Sequence, residues 1–215
     1  MFSRKRGSAK HVRAADAPPS KALAQSLAAD GESPAPEFGP WDAKHAPGDV
    51  QRLDLGSLQI PAIEGVEVRV QANPDGGVEQ IVLVHGNSAL QLGVFAAPRS
   101  EGIWSEVREE IATAMTADGV DAREVRGRYG IELVARVNTP DGPADVRFVG
   151  VDGPRWMVRA LFQGAAAADP SKEGVLGVAL EGLVVIRDEE PRPVREPLPL
   201  RLPREMAEQG PAQEG

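Results

Sequence analysis

Side chains able to do chemistry are densest in one short stretch, Gly150-Val151-Asp152-Gly153-Pro154-Arg155-Trp156. Asp-Gly-Pro marks a tight turn between two extended segments. Beyond it, Trp156, Val158, Ala160 and Phe162 fall on one side of a strand, and Arg155 and Arg159 on the other. Two roles are open for this stretch. As a hairpin corner it delivers Trp156 to a core. As a site it sets Arg155 and Arg159 beside Asp152 as anion contacts, since a guanidinium offers a planar fork to carboxylate or phosphate.

The same pattern extends along the chain. Arg69, Arg136 and Arg147 also stand opposite apolar positions. On neighbouring strands the five arginines would form a ladder, with Glu67 and Glu132 as the nearest acids. Such a face is either a solvated surface of cross-strand charge pairs, each contributing a few tenths of a kcal/mol, or an anion-binding surface that no helix covers. Trp41 is the other conspicuous residue, in Phe38-Gly39-Pro40-Trp41-Asp42 within an otherwise polar stretch. It reads either as an anchor for the linker or as an exposed recognition spot.

No complete catalytic constellation accompanies these residues. Gly127-Arg128-Tyr129-Gly130 lacks the Gly-Lys-Ser/Thr of a phosphate loop. His85 has no nucleophile or carboxylate nearby in sequence, and acid–base catalysis needs a positioned pair. Glu106, Glu109 and Glu110 read as the wet side of a helix. The chain has no cysteine and three histidines, two of them before residue 46, so thiolate chemistry, disulfides and a His-rich zinc site are not expected. The expectation is no cofactor, no metal and no catalytic residue.

The elements that must hold these residues follow from periodicity. Alternation predicts strands at Gln51–Leu55, Ile63–Val70, Gln80–Val84, Ala89–Phe95, Asp121–Arg126, Ile131–Val137, Ala144–Val151 and Arg155–Phe162. Turn signals separate them, including Asn73-Pro74-Asp75-Gly76-Gly77 and Pro140-Asp141-Gly142-Pro143. Ile103, Trp104, Val107, Ile111, Ala114 and Met115 recur at helical spacing, with Ser100 as the expected N-cap and Gly119 as the stop. A second helix is expected over Lys172–Leu183, and Val184–Arg187 closes the pattern. The predicted fold is α+β, a mostly antiparallel sheet of six to eight strands with both helices on one face.

Composition divides the chain into three parts. Residues 1–49 form a basic and then Pro- and Ala-rich tail expected to be disordered, with Trp41 as its anchor. Residues 50–188 form a single α+β domain of roughly 140 residues, an ordinary size for one core. Residues 189–215 form a Pro-rich extended tail, along which Leu198, Leu200 and Leu202 alternate as if laid on the domain. Net charge is −8 for the 215 residues, and the 50–188 segment holds 13 basic against 20 acidic residues. An acidic domain is a poor long-range attractor of nucleic acid. No stretch reaches the ~18 apolar residues of a membrane span, and Ala14–Ala29 is too interrupted for a signal-peptide core. The expected location is the cytoplasm.

Four segments carry a family resemblance: Gly39-Pro40-Trp41-Asp42, Phe95-Ala96-Ala97-Pro98-Arg99-Ser100 leading into Ile103-Trp104, Val149-Gly150-Val151-Asp152-Gly153-Pro154-Arg155-Trp156, and Leu198-Pro199-Leu200-Arg201-Leu202-Pro203. Through them the chain resembles a family of uncharacterised actinobacterial proteins classed as a domain of unknown function, from Gly39 to Pro203. The resemblance implies no activity and no catalytic residue. The reading from the residues is a non-enzymatic interaction or adaptor module with a protein partner. Its alternative is a module binding a small anion or nucleotide on the arginine-bearing face.

Overall fold

The chain divides into two units, Met1–Ala35 and Pro36–Gly215. The computed structural model describes residues 37–72 and 77–202, all in the second unit. The basic N-terminal stretch, most of the turn expected at residues 73–77 and the chain after Leu202 lie outside the described residues.

Short strands β1 (Trp41–Asp42), β2 (Arg52–Asp54) and β3 (Leu58–Pro61) come first. A meander of β4 (Glu67–Ala72), β5 (Val78–His85) and β6 (Ser88–Ala96) follows. Helix α1 (Trp104–Ala117) then carries the chain across the sheet to β7 (Ala122–Gly127). From there β8 (Gly130–Thr139), β9 (Gly142–Gly153) and β10 (Trp156–Gly164) return strand by strand, until β10 pairs with β6. The result is one seven-stranded antiparallel sheet, ordered β4-β5-β6-β10-β9-β8-β7. Short helix α2 (Ala165–Ala168), a 3-10 turn (Pro170–Lys172), α3 (Gly174–Gly182) and β11 (Val184–Val185) complete the fold. β11 joins a second, four-stranded sheet ordered β1-β11-β3-β2, in which β1 runs parallel to β11.

The α+β class and the mostly antiparallel sheet agree with the periodicity, and seven strands fall within the expected six to eight. The helices are placed otherwise than expected: they cover opposite faces. Trp156, Val158, Ala160 and Phe162 point toward α2, α3 and the small sheet, and form the main core with Ile81 and Leu83. The reverse face carries Met157 and Phe148, which pack against Ile103, Trp104 and Val107 of the α1 region. The physical reason is that β9 and β10 are apolar on both sides, so one layer of helices cannot cover them. β3 is a strand the alternation missed, since four residues ending in Pro61 give little period to read.

Segments flanking residues 50–188 join the structure. Trp41 N–H donates to the Leu183 carbonyl at 2.8 Å. β5 stops pairing with β6 at Leu92, and the vacant edge at Val94–Ala96 is taken by residues 195–198. Ala96 N–H donates to the Glu196 carbonyl at 2.8 Å, and Leu198 N–H to the Val94 carbonyl at 2.9 Å. Leu198 is buried. This strap continues to the small sheet, where Ser57 N–H donates to the Pro199 carbonyl and Arg201 N–H to the Leu55 carbonyl.

Candidate functional site

Pro154 and Arg155 form the two-residue turn between β9 and β10, and Arg155 has φ +65°. Proline followed by a positive φ is the pattern of a type II turn, whose second central position favours glycine. The Arg155 carbonyl accepts from Ala97 N–H at 3.0 Å, which ties the turn to the end of β6. Arg155 is therefore held by its backbone, at a corner, rather than presented from a strand face.

Asp152 does not serve the arginines. Its Oδ1 accepts from Ile103 N–H at 2.9 Å and Trp104 N–H at 3.2 Å, so the carboxylate sits on the positive end of α1. Ile103 occupies the cap position without a side-chain hydrogen bond of its own, so the cap expected from Ser100 comes from Asp152 on β9 instead. Gly102 makes the approach possible, because any β-carbon there would collide with the Asp152 carboxylate.

Trp156 lies in the main core at 1% exposure, and its Nε1–H donates to Asp42 Oδ2 at 3.3 Å. Trp41, half-buried at the edge of the small sheet, packs over Gly39. The two tryptophans are thus linked through the Trp41–Asp42 strand, and neither forms an exposed aromatic site.

The arginine ladder does not exist as one face. Arg147 pairs in register with Phe162, which puts it on the Trp156 side of the sheet and not beside Arg159. It is 1% exposed, with Nη1 donating to Glu132 at 2.9 Å and Nη2 to Glu173 at 2.6 Å and to the Ala166 carbonyl at 3.0 Å. Its guanidinium also lies 4.4 Å from the centre of the Phe162 ring. The expectation of a surface contact at Arg147 fails because strand alternation reports a side and not whether that side meets water. Arg136 is exposed on the same side as Arg147, 3.8 Å from Asp145. Arg69 is bound to Glu67 at 2.9 Å on its own exposed strand.

Around Arg147 extends a polar cluster that sequence reading left unassembled. The Tyr129 hydroxyl is 3.3 Å from both Glu173 Oε2 and Glu181 Oε1. Burial, followed by the charges of Glu173 and Glu181, pushes the Tyr129 phenol well above its ordinary pKa. Glu181 pairs with Arg128 at 2.5 Å, and Arg128 stacks 5.0 Å from the Phe38 ring. No local signal joins Glu132 on β8 to Glu173 before α3. The local signal that remains is Glu132 itself, a glutamate between Ile131 and Leu133.

Among the five strand and turn arginines, Arg159 is the exception: it lies on the reverse face, opposite Trp156, with no ion pair among the described residues. It is half-buried, 5.1 Å from the centre of the Phe95 ring, in a recess of about 110 Å³ lined by Gln91, Leu92, Gly93, Phe148 and Leu161. Burial alone lowers its pKa, with no acid acting on it among the described residues. Elsewhere a broad groove of about 790 Å³ runs along the outer face of α1 beside Glu124, lined by Glu106, Glu109 and Arg108. Its charges are paired in part, Arg108 with Glu124 at 2.6 Å and Glu106 with Arg195 at 2.5 Å. Among the described residues no group of three metal-ligating side chains occurs, and no helix is long and apolar enough to cross a membrane.

No curated protein matches the chain. Among solved structures, the solution structure of cyanobacterial PsbP (CyanoP) from Synechocystis sp. PCC 6803 is similar at 10% identity and a TM-score of 0.35, over 63% of this chain and 92% of that one. A family described as "Protein of unknown function (DUF3710)" matches residues 39–209. That span takes in the Trp41 strand, the Asp152-capped helix, the buried arginine and the strap, and the chain belongs to the DUF3710 family.

Proposed function

We propose that the protein is a cytoplasmic, non-enzymatic interaction module whose working surface is the half of the large sheet that α1 leaves open. One observation carries the reading. β6 alternates buried and half-buried from Ser88 to Ala96 without a break. Phe95 on the half-buried side reaches the α1 cluster, whereas Ala89, Gln91 and Gly93, with Val82, Val84 and Leu161 on neighbouring strands, lie outside it among the described residues. An apolar sheet face with one side open is a surface suited to a partner. The test is a pair of outward-facing substitutions, Val82→Lys and Leu161→Lys, which leave the main core untouched. Wild type should retain a protein partner that both variants lose at unchanged melting temperature. Retention by the variants would end the proposal.

The anion-binding alternative is narrower than the sequence suggested. Arg69, Arg136 and Arg147 have acids of their own. Among the described residues of the open half-sheet, Arg159 is the arginine that keeps that chemistry available.

A further inference from the structure

We infer that the Arg159 recess is a carboxylate pocket for an acidic side chain or chain terminus of the partner. The inference rests on the reading of the open half-sheet as the partner surface. Three observations converge on it. Arg159 is a half-buried cation with no acid against it among the described residues. The sheet register sets Val82, Gln91 and Leu161 in one row of this face and Val84, Ala89 and Gln163 in the next, with Arg159 opposite Gly93. The reverse-face positions of residues 80–84, 89–95 and 157–163 include no Asp or Glu, in a chain of net charge −8. On neighbouring β4, Glu67 and Arg69 share this face but are bound to each other at 2.9 Å, so the unpaired charge left around the recess among the described residues is the Arg159 cation, which on an acidic protein is complementary to an anion.

The shape selects the anion. A recess of about 110 Å³ with one guanidinium admits a carboxylate on a short stem. Arginine binds carboxylate through two parallel N–H···O bonds, and the recess offers one guanidinium rather than the cluster of cations suited to a phosphate dianion. The stem would lie against Phe148 and Leu161, and the Gln91 amide stands at the rim as a second hydrogen-bonding group. Stacking on Phe95 fixes the guanidinium before any ligand arrives, so little rotamer freedom is lost on binding. Gly93 keeps the stack in place: a β-carbon there would stand 2.9 Å from the Phe95 ring and 4.0 Å from Arg159 Nη2.

The full chain, labelled with ¹⁵N, is titrated with an acetylated, amidated Ala-Leu-Glu-Leu-Ala peptide, its Gln counterpart, glutarate and sulfate. The Glu peptide should shift the Arg159 Nε–H and Gly93 amide signals, and the Gln peptide should bind at least tenfold more weakly. Arg159→Gln should lose the response. Gln91→Glu, which supplies an internal acid to the recess, should lose it too and guards against a folding defect in the first variant. Arg136→Gln should keep it. No shift at millimolar Glu peptide, equal binding of sulfate, or an unchanged response in both recess variants would overturn the inference. Glutarate matching the Glu peptide would keep the pocket and assign it to a free small carboxylate instead of a partner. Partner loss in Leu161→Lys with full retention in Arg159→Gln would remove the pocket and leave the open-face reading standing.

Discussion

Arg147 holds two buried carboxylates with one guanidinium, and the balance of that arrangement is negative. Removing the cation alone leaves Glu132 and Glu173 uncompensated in the core, so Arg147→Met should cost about 3–5 kcal/mol in urea unfolding, as broken buried pairs do. Replacing all three, as Arg147→Met/Glu132→Gln/Glu173→Gln, should recover much of the loss, because the desolvated charges go with their partner. A triple variant as unstable as the single one would show that packing, not charge, sets the cost. Tyr129 belongs to the same cluster and makes it sensitive to alkali. Its folded pKa is raised above the ordinary 10.0, so the folded chain favours the neutral phenol. That contribution is complete below pH ~10, where the unfolded phenol is also neutral, and is lost as pH rises past it. Tyr129→Phe should therefore flatten the fall in stability above pH ~10 while leaving the acid side unchanged. A slope identical to wild type would exclude Tyr129 as its source.

At the scale of elements, α1 is held at its start by a residue 48 positions away in sequence. Caps from Asp typically contribute about 1 kcal/mol, and a carboxylate on the dipole adds to that. Asp152→Ala should cost about 1–2 kcal/mol by thermal unfolding, whereas Ser100→Ala should cost nothing measurable. The reverse result would return the cap to Ser100. This contact also shows where sequence reading stops. Strand alternation located the seven long strands β4 to β10 and the three-residue β2, because residues such as Leu133 and Val158 repeat at period two. The α1 stripe of Ile103, Trp104, Val107 and Ile111 was equally legible at helical spacing. What alternation cannot give is the partner across space: that Asp152 faces a helix end, that Arg147 meets Glu173, or that Met157 faces Trp104. Those depend on strand order, and β10 pairing with β6 after an excursion of some sixty residues leaves no local trace. The candidate site suffered most from this. Of Trp41, Asp152, Arg155, Trp156, Arg159, Arg136 and Arg147, only Arg159 combines the expected face with an open charge.

At the scale of the whole described region, two sheets share one core and a strap bridges them. Residues 195–201 touch the β6 edge with one set of backbone groups and the Leu55–Ser57 corner with the other. Contacts of such sequence separation form late and at an entropic cost that local pairing does not carry. The consequence can be put in terms of hydrogen exchange. The Ala96 amide, in the large sheet, and the Ser57 amide, at the small one, each donate to a strap carbonyl, Glu196 and Pro199 respectively. Neither proton can meet solvent until the strap lifts, and one lifting frees both. Native-state exchange should then give Ala96 and Ser57 a common opening free energy and a common response to denaturant, below that of Val158 at the sheet centre. Two residues 39 positions apart, one in the large sheet and one at the corner of the small one, would report a single motion, the lifting of the strap as one unit.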